Sequence, residues 1–289
     1  VKLRMWCYRP ERNVLSKTWT LAKSSWAVIK LDRELLVLPI LNAISSLVFF
    51  GFVWVLANSA GVDFTNQNSE GSGPAILLGV LALFGLSIIS VYFQGALVYG
   101  AHERFMGGDP TISSALKGAA SKLHRLIPWA ILTATVGMIL RAFQNRQGMM
   151  GRIVASLLDT AWKVLTFLVV PAVMFEDLGP IEGVKRSSSL FKKTWGENLT
   201  ARVGFGLLGL IAAIPAIALI AVGVSSGFWL LIVLGVLLII ALVVVLTALT
   251  AVFQTALYLY AVNGVAPQGF EIAEITTSFG HKGNPTIIR

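Results

Sequence analysis

Asp159 and Lys163 lie four residues apart inside a long apolar run, a spacing that favours an ion pair if the run is helical. An acid placed four residues before a base is the favourable order for an ion pair on one helix face. Gln94 and Gln254 each interrupt another apolar run. A polar side chain inside a membrane costs free energy unless it has a partner. These four residues therefore predict either a polar path or binding cavity, or hydrogen bonds that merely join helices.

Two short stretches match enzyme motifs by letter. Residues 223–227 match the nucleophile elbow around Ser225, and residues 204–209 match a dinucleotide-binding fingerprint. A serine nucleophile needs a base within hydrogen-bond reach, but the histidines fall in segments predicted to lie on the other side of the membrane. The fingerprint needs a preceding strand, whereas here it opens an apolar helix. We therefore expect no catalytic residues, no cofactor and no enzymatic activity.

The residues that usually bind metals are few and scattered. The chain has one cysteine, Cys7, and three histidines, and no two carboxylates stand at ligand spacing. A structural or catalytic zinc site needs three or four such ligands brought together. We therefore expect no metal site, and the single cysteine excludes an internal disulfide.

The composition is that of a membrane protein. Of 289 residues, 56% are hydrophobic and only 13% are charged, whereas soluble domains carry about 25% charged residues. The net charge of +9 does not indicate nucleic-acid binding, because the Lys and Arg residues lie between apolar runs, where they orient membrane spans.

The apolar runs predict an all-α membrane domain over residues 35–262, between an N-terminal segment (1–34) and a polar tail (263–289). A membrane-spanning helix has to be long enough to cross a hydrocarbon core of about 30 Å. The third run is short, so Arg141 is expected to reach toward the interface, and residues 141–152 are expected to form a polar turn. The six predicted spans are 35–57, 75–99, 127–140, 153–175, 203–222 and 229–262.

The distribution of Lys and Arg predicts the orientation. Most of these residues lie before the first span, after every second span, or in the tail. Cytoplasmic segments carry such an excess. We therefore predict a multi-pass protein of a prokaryotic inner membrane with both termini in the cytoplasm. The arginine-bearing turn at 141–152 is the one feature against this orientation.

Two basic amphipathic helices are predicted between the spans. Pro180 favours a helix start, and Ile181, Val184, Ser188, Phe191 and Trp195 then form an apolar stripe. A second such helix follows Pro110, with Asp109 as the expected N-cap. Their basic residues predict contacts with anionic lipid head groups or a partner, or a solvated face joining two spans. These residues are Lys117, Lys122, Arg125, Lys185, Arg186, Lys192 and Lys193.

The chain also predicts a threefold internal repeat. Each unit would be a basic amphipathic helix followed by a hairpin of two spans, and residues 93–97 (Phe-Gln-Gly-Ala-Leu) match residues 253–257 (Phe-Gln-Thr-Ala-Leu). Such repeats occur in transporters but also arise by plain duplication. The repeat predicts a pseudo-threefold bundle in which Gln94 and Gln254 occupy equivalent positions and could face each other.

Three stretches carry a family resemblance: Ser25–Lys30 with Glu34–Pro39, Phe167–Pro171, and Lys185–Glu197. They resemble a family of prokaryotic integral membrane proteins that has no assigned function. More distantly, the repeat is similar to the membrane domain attached to some glycerophosphodiester phosphodiesterases. The resemblance implies a six-helix membrane domain and supplies no catalytic residues.

Two functions stay open. The first is a non-enzymatic scaffold, accessory subunit or lipid-interacting protein, acting as a homo-oligomer or within a membrane complex. The second is a small transporter or channel that uses Gln94, Asp159, Lys163 and Gln254, joined by Asn42 and Thr166. A central cavity lined by the first four residues would favour transport, and a tightly packed bundle with flat basic faces would favour the scaffold.

Overall fold

The structure is a computed structural model that describes residues 25–26, 29–30, 32–62, 73–146, 149–195, 200–264 and 267. Within these ranges, side chains are described except those of residues 33, 145–146, 149–150, 193–195 and 200–208. Most of the N-terminal segment (1–34), where the repeat predicts another basic amphipathic helix before the first span, lies outside the described residues, as does most of the tail.

The elements in these ranges are helical. A single 3-10 turn over Arg33–Leu36 leads into the first helix. Five of the described helices are long and apolar, and the other four are shorter, with 8 to 17 residues. In chain order they are α1 (Val37–Ser59), α2 (Gly73–Phe105), α3 (Ile112–Ser121), α4 (Leu123–Arg146), α5 (Met149–Leu165), α6 (Val169–Glu176), α7 (Pro180–Trp195), α8 (Thr200–Ser226) and α9 (Trp229–Asn263).

Six stretches in the described part of the chain are long and apolar enough to cross a membrane. They correspond to α1, α2, α4, α5 with α6, α8 and α9. Large apolar side chains such as Leu47 (71% exposed) and Trp229 (68% exposed) cover their outer surface, as expected of a surface that meets lipid. These observations confirm the all-α, six-span fold class of a multi-pass membrane protein.

The third span differs from its prediction. Helix α4 runs from Leu123 to Arg146, so residues 141–146 of the predicted polar turn are helical. Arg, Gln and Ala favour helices, and polarity alone does not end one. As a result, Arg141 is held on a helix rather than on a turn.

The core lies in the half of the bundle near the short helices α3 and α7, which we call the surface-helix end. Helix α6 is buried over Val169–Met174, and the second half of α9 is buried around Val252 and Phe253. These segments pack against the second half of α2. The first half of α9 packs mainly against α8, and its other faces are exposed.

The fourth span is interrupted at residues 166–168, where α5 ends and α6 has not yet begun. Pro171 lacks the N–H that would bond to the carbonyl oxygen of Phe167, four residues earlier. The amide nitrogen Nε2 of Gln254 donates to that oxygen instead. A side chain from another span thus satisfies the carbonyl oxygen that the interruption leaves free.

Ser187 of α7 satisfies the other free backbone groups at this interruption. Its Oγ donates to the Leu165 carbonyl oxygen over 2.6 Å and accepts from the Leu168 N–H over 3.1 Å. Ser187 is 1% exposed. Gly183, one turn earlier, permits the close approach, because a Cβ there would lie 3.1 Å from side-chain carbons of Val169 and Val173.

This packing corrects the predicted apolar stripe of α7 in part, because Val184 and Phe191 of that stripe pack against the core but are not its fully buried positions. The buried positions are Gly183, Ser187 and Leu190, whereas Ile181 is 64% exposed. The hydrogen bonds and the close approach to α6 decide which face is buried, and at Ser187 and Gly183 they require small residues.

The start of α3 also differs from the prediction. The N-cap is Thr111, whose side chain accepts from the Ser114 N–H while Ser114 Oγ accepts from the Thr111 N–H, both over 3.0 Å. This reciprocal capping box satisfies two free donors at once. Asp109 instead accepts from Arg104 Nη2 over 2.9 Å. The prediction that Asp109 caps this helix was wrong.

Ion pairs tie the surface-helix end together. Asp177, in the loop between α6 and α7, accepts from Lys122 Nζ over 2.8 Å and lies 3.5 Å from Arg125 Nη2. The hydrogen bond from Lys122 is the main cause of a lowered pKa at the Asp177 carboxyl. Arg104 of α2 pairs with Asp32, which is 5% exposed.

Replacing Ser187 with Ala should destabilise the bundle, because two buried backbone groups at the interruption lose their partner. An unsatisfied buried group costs about 1–3 kcal/mol. Thermal unfolding in detergent should therefore show a clearly lower midpoint for Ser187→Ala. Ser189→Ala is the matched control, because Ser189 is exposed and bonds only to its own helix at Arg186. Equal effects of the two substitutions would contradict this role.

The Asp177 cluster should make stability depend on pH. A lowered pKa means that Asp177 stabilises the fold above its unfolded-state value of about 4, and that this contribution is lost as the pH falls through the folded-state pKa. Asp177→Asn should therefore unfold at a lower temperature than wild type at neutral pH, and the difference should narrow below about pH 4. A difference that stays constant over this range in a melting series would contradict the prediction.

Candidate functional site

A half-open cavity of about 410 Å³ lies between α2, α4, α5 and α9. It brings together all four predicted polar residues: Gln94, Asp159, Lys163 and Gln254. We call it the polar cavity. Its other lining residues are Val91, Trp129, Thr133, Gly137, Leu140, Arg141, Gln144, Trp162, Thr166, Phe167 and Val170.

Asp159 and Lys163 form the predicted ion pair. Lys163 Nζ lies 2.6 Å from Asp159 Oδ2, one turn apart on α5. The side chain of Lys163 is 63% exposed and that of Asp159 is 32% exposed, so the pair is only partly enclosed, and both residues line the polar cavity. A solute entering the cavity can therefore reach both charges.

Gln94 and Gln254 meet at the innermost wall. Gln94 Nε2 donates to Gln254 Oε1 over 3.2 Å, and Gln254 Nε2 donates onward to the Phe167 carbonyl oxygen. Gln254 is 2% exposed. The three groups form a chain of hydrogen bonds that joins α2, α9 and the interruption of the fourth span. The expectation that the two glutamines face each other is confirmed.

Helix α4 contributes a polar stripe that the sequence prediction missed. Trp129, Thr133, Gly137, Arg141 and Gln144 recur at intervals of four or three residues and line the cavity. This spacing is a helical signal that could have been found. From Trp129 to Gln144 the stripe covers about 22 Å of helix axis at 1.5 Å per residue.

The charges of the cavity are unequal. Arg141 and Lys163 are cationic and Asp159 is anionic, so the lining carries one excess positive charge. Two indole rings form part of the wall, since Trp129 and Trp162 stack with centroids 6.3 Å apart and planes 27° apart. The arrangement can hold an anion or a zwitterion against an aromatic surface.

The predicted head-group contacts divide into two groups. Lys117, Lys185 and Lys192 are exposed on α3 and α7. Lys122 and Arg125 instead pair with Asp177. Arg186 pairs with Glu176 over 2.8 Å, and Tyr258 donates to the same carboxylate over 2.7 Å. The side chain of Lys193 lies outside the described residues.

The enzyme-like motifs show no assembled centre in the described residues. Ser225 Oγ bonds to the Val222 carbonyl oxygen over 3.1 Å, at the end of α8. His102 stacks on Phe175 with centroids 4.2 Å apart, close to the surface-helix end of the bundle. Across the described ranges, no group of three His, Cys, Asp or Glu side chains could hold a metal ion.

Comparison with known proteins identifies a family without a known activity. No curated protein and no solved structure matches the chain. These comparisons give no support to the distant similarity with the phosphodiesterase membrane domain. Residues 75–269, which contain the polar cavity, all but the first two residues of α2, and the helices from α3 to α9, match the family of unknown function DUF6159. Because the match covers more than half of the sequence, the chain belongs to the DUF6159 family.

Proposed function

We propose that the protein binds a small anionic or zwitterionic solute in the polar cavity and carries it across the membrane. The observation that carries this proposal is the cavity itself, in which Gln94, Asp159, Lys163 and Gln254 meet beside Arg141. Ionisable residues within membrane spans are costly and usually mark solute or ion pathways.

The charges of the lining favour a solute with an anionic group. Arg presents a planar fork that fits carboxylate or phosphate, and Lys adds a mobile point charge. Asp159 neutralises one of these cations and can accept from an ammonium or hydroxyl group of the solute. The two stacked indole rings supply a rigid apolar wall, which is common in ligand pockets.

The interrupted fourth span supports movement. Transporter sites are often built where a membrane helix is broken and its free backbone groups face the site. Here the Phe167 carbonyl at the interruption is bonded to Gln254, which bonds to Gln94. Parting this chain of bonds would open the inner wall, and the few residues at 166–168 are the place where the backbone can bend.

The cavity reaches toward one end of the bundle. Arg141 and Gln144 lie near the end of α4 that is remote from α3 and α7, while the surface-helix end is closed by the buried α6 and by ion pairs. With both termini in the cytoplasm of a prokaryotic inner membrane, as we predict, the cavity would face outward. The hydrogen bond between Gln94 and Gln254 is the contact that the proposed internal repeat predicts, and it supports that proposal.

Lys163→Gln should weaken anion binding, because it removes a cation and leaves Asp159 unpaired in the lining. With inorganic phosphate as the probe, we expect a loss of about tenfold in affinity, of the order of a charged hydrogen bond. Tryptophan fluorescence can follow the titration, since Trp129 and Trp162 line the cavity.

Lys185→Gln is the matched control, because Lys185 is exposed on α7 outside the cavity. Phosphate affinity should stay within about twofold of wild type for this variant. Absence of phosphate binding, or equal losses in both variants, would overturn the proposed function.

A second candidate is the non-enzymatic scaffold or lipid-interacting protein, as a homo-oligomer or a subunit of a membrane complex. The observation that favours it is the exposure of Lys117, Lys185 and Lys192 on the two helices of the surface-helix end. Exposed cations at a membrane surface attract anionic head groups. This role is compatible with a solute cavity, because the two regions use different residues.

The double substitution Lys185→Gln and Lys192→Gln should reduce the retention of anionic lipid. A surface lysine contributes about 1 kcal/mol to such attraction, or about fivefold per residue. Native mass spectrometry of protein in mixed phosphatidylglycerol and phosphatidylcholine micelles would measure the retained phosphatidylglycerol. Ser189→Ala serves as the control, because Ser189 is exposed on the same helix and its loss removes no charge. Unchanged retention in the double variant would argue against the contact.

A further inference from the structure

A second cavity of about 410 Å³ lies on the other side of the glutamine pair, between α1, α2 and α9. Gln94 and Gln254 line both cavities, so their hydrogen bond separates the two spaces. We call this second space the apolar cavity. Its other lining residues are Pro39, Asn42, Ser90, Phe93, Leu97, Val243, Leu246, Thr247, Thr250 and Ala251.

The walls of the apolar cavity offer little to a charged group. Thr247 and Thr250 line it, but their hydroxyl groups donate to carbonyl oxygens of their own helix over 2.8 and 2.7 Å. Such bonds within a helix satisfy the hydroxyl and leave the methyl group as the contact surface. No Asp, Glu, Lys or Arg is among the lining residues. The chemistry of this space suits a hydrocarbon chain.

The apolar cavity borders the lipid-facing surface. Val243 is 56% exposed and Thr247 is also exposed, both on the part of α9 that packs mainly against α8. In a membrane the surrounding medium consists of lipid chains. A chain can therefore enter sideways between α1 and α9 without crossing water.

One polar atom in this region has no partner among the described residues. Asn42 Oδ1 is enclosed, yet it accepts no hydrogen bond there. An enclosed acceptor without a donor costs free energy, so a ligand hydroxyl would be stabilised by this oxygen once the Asn42 side chain turns toward the cavity. Asn42, Ser90 and the glutamine pair thus supply the polar positions of a cavity whose other walls suit a hydrocarbon chain.

We propose that the two cavities form one site for a single-chain amphiphile with an anionic head group and a hydroxyl near it. This inference rests on the proposed function and names the class of its substrate. The head group lies in the polar cavity beside Lys163 and Arg141, and the chain lies in the apolar cavity. The ligand passes between them where Gln94 and Gln254 now bond, and their side chains turn toward its polar linkage.

Two probes distinguish binding of the head group from binding of the chain. One is radiolabelled inorganic phosphate, and the other is radiolabelled 1-lauroyl lysophosphatidic acid, which adds a hydroxyl group and one hydrocarbon chain. Thr250→Phe fills the apolar cavity without touching the polar one. Scintillation proximity binding on the detergent-solubilised full chain should show at least a fivefold loss of lysolipid affinity. Phosphate affinity should stay within twofold of wild type.

Leu238→Phe is the matched control, since Leu238 is on the same helix, 42% exposed, and lines neither cavity. It should leave both affinities unchanged. Thr247→Leu narrows the apolar cavity with a smaller side chain, and it replaces Thr250→Phe if that variant melts early. Asn42→Leu should weaken the lysolipid about fivefold or more and leave phosphate unchanged.

The outcomes distinguish this inference from the proposed function. If Lys163→Gln weakens phosphate binding but neither cavity-filling substitution affects the lysolipid, the amphiphile site is wrong and the solute cavity stands. If phosphate does not bind, or binds independently of Lys163, the proposed function itself fails. Loss of lysolipid binding in the filled variants, with phosphate binding intact, supports the joined site.

Discussion

The rest of the structure depends on the interruption of the fourth span at residues 166–168. Pro171 removes one backbone donor, and the turn before α6 leaves other groups without helical partners. In a hydrocarbon medium such groups must be satisfied by neighbouring side chains. Ser187 and Gln254 do so from two different helices, so a local defect in one span fixes the positions of α7 and α9 against it.

The same bonds connect the architecture to the cavities. Gln254 is held by Phe167 on one side and meets Gln94 on the other, which places the pair between two spaces of equal volume. Hydrogen bonds between membrane helices contribute about 0.6 kcal/mol each on average. The hydrogen bond between Gln94 and Gln254 is therefore strong enough to form between the two cavities. It is also weak enough to break when a ligand supplies other partners for the two side chains.

The basic residues serve two purposes that their sequence positions do not separate. Lys122, Arg125 and Arg186 meet Asp177 or Glu176 and help hold the surface-helix end together, whereas Lys185 and Lys192 point outward. All five lie on predicted amphipathic helices. The two groups differ in their distance from two acids at the end of α6, Glu176 and Asp177. This end of α6 becomes a neighbour of α4 and α7 only when the bundle forms.

The sequence by itself determined the fold class, because long apolar runs must cross the membrane as helices, and it determined the Asp159–Lys163 pair, because i,i+4 spacing is local. The repeat also led to the correct expectation that Gln94 faces Gln254. The sequence did not reveal the buried face of α7, the N-cap of α3, or the role of Arg141 and the α4 stripe. Only the tertiary structure decided these, because they depend on close approach between helices, on competing hydrogen bonds and on which walls leave a space unfilled.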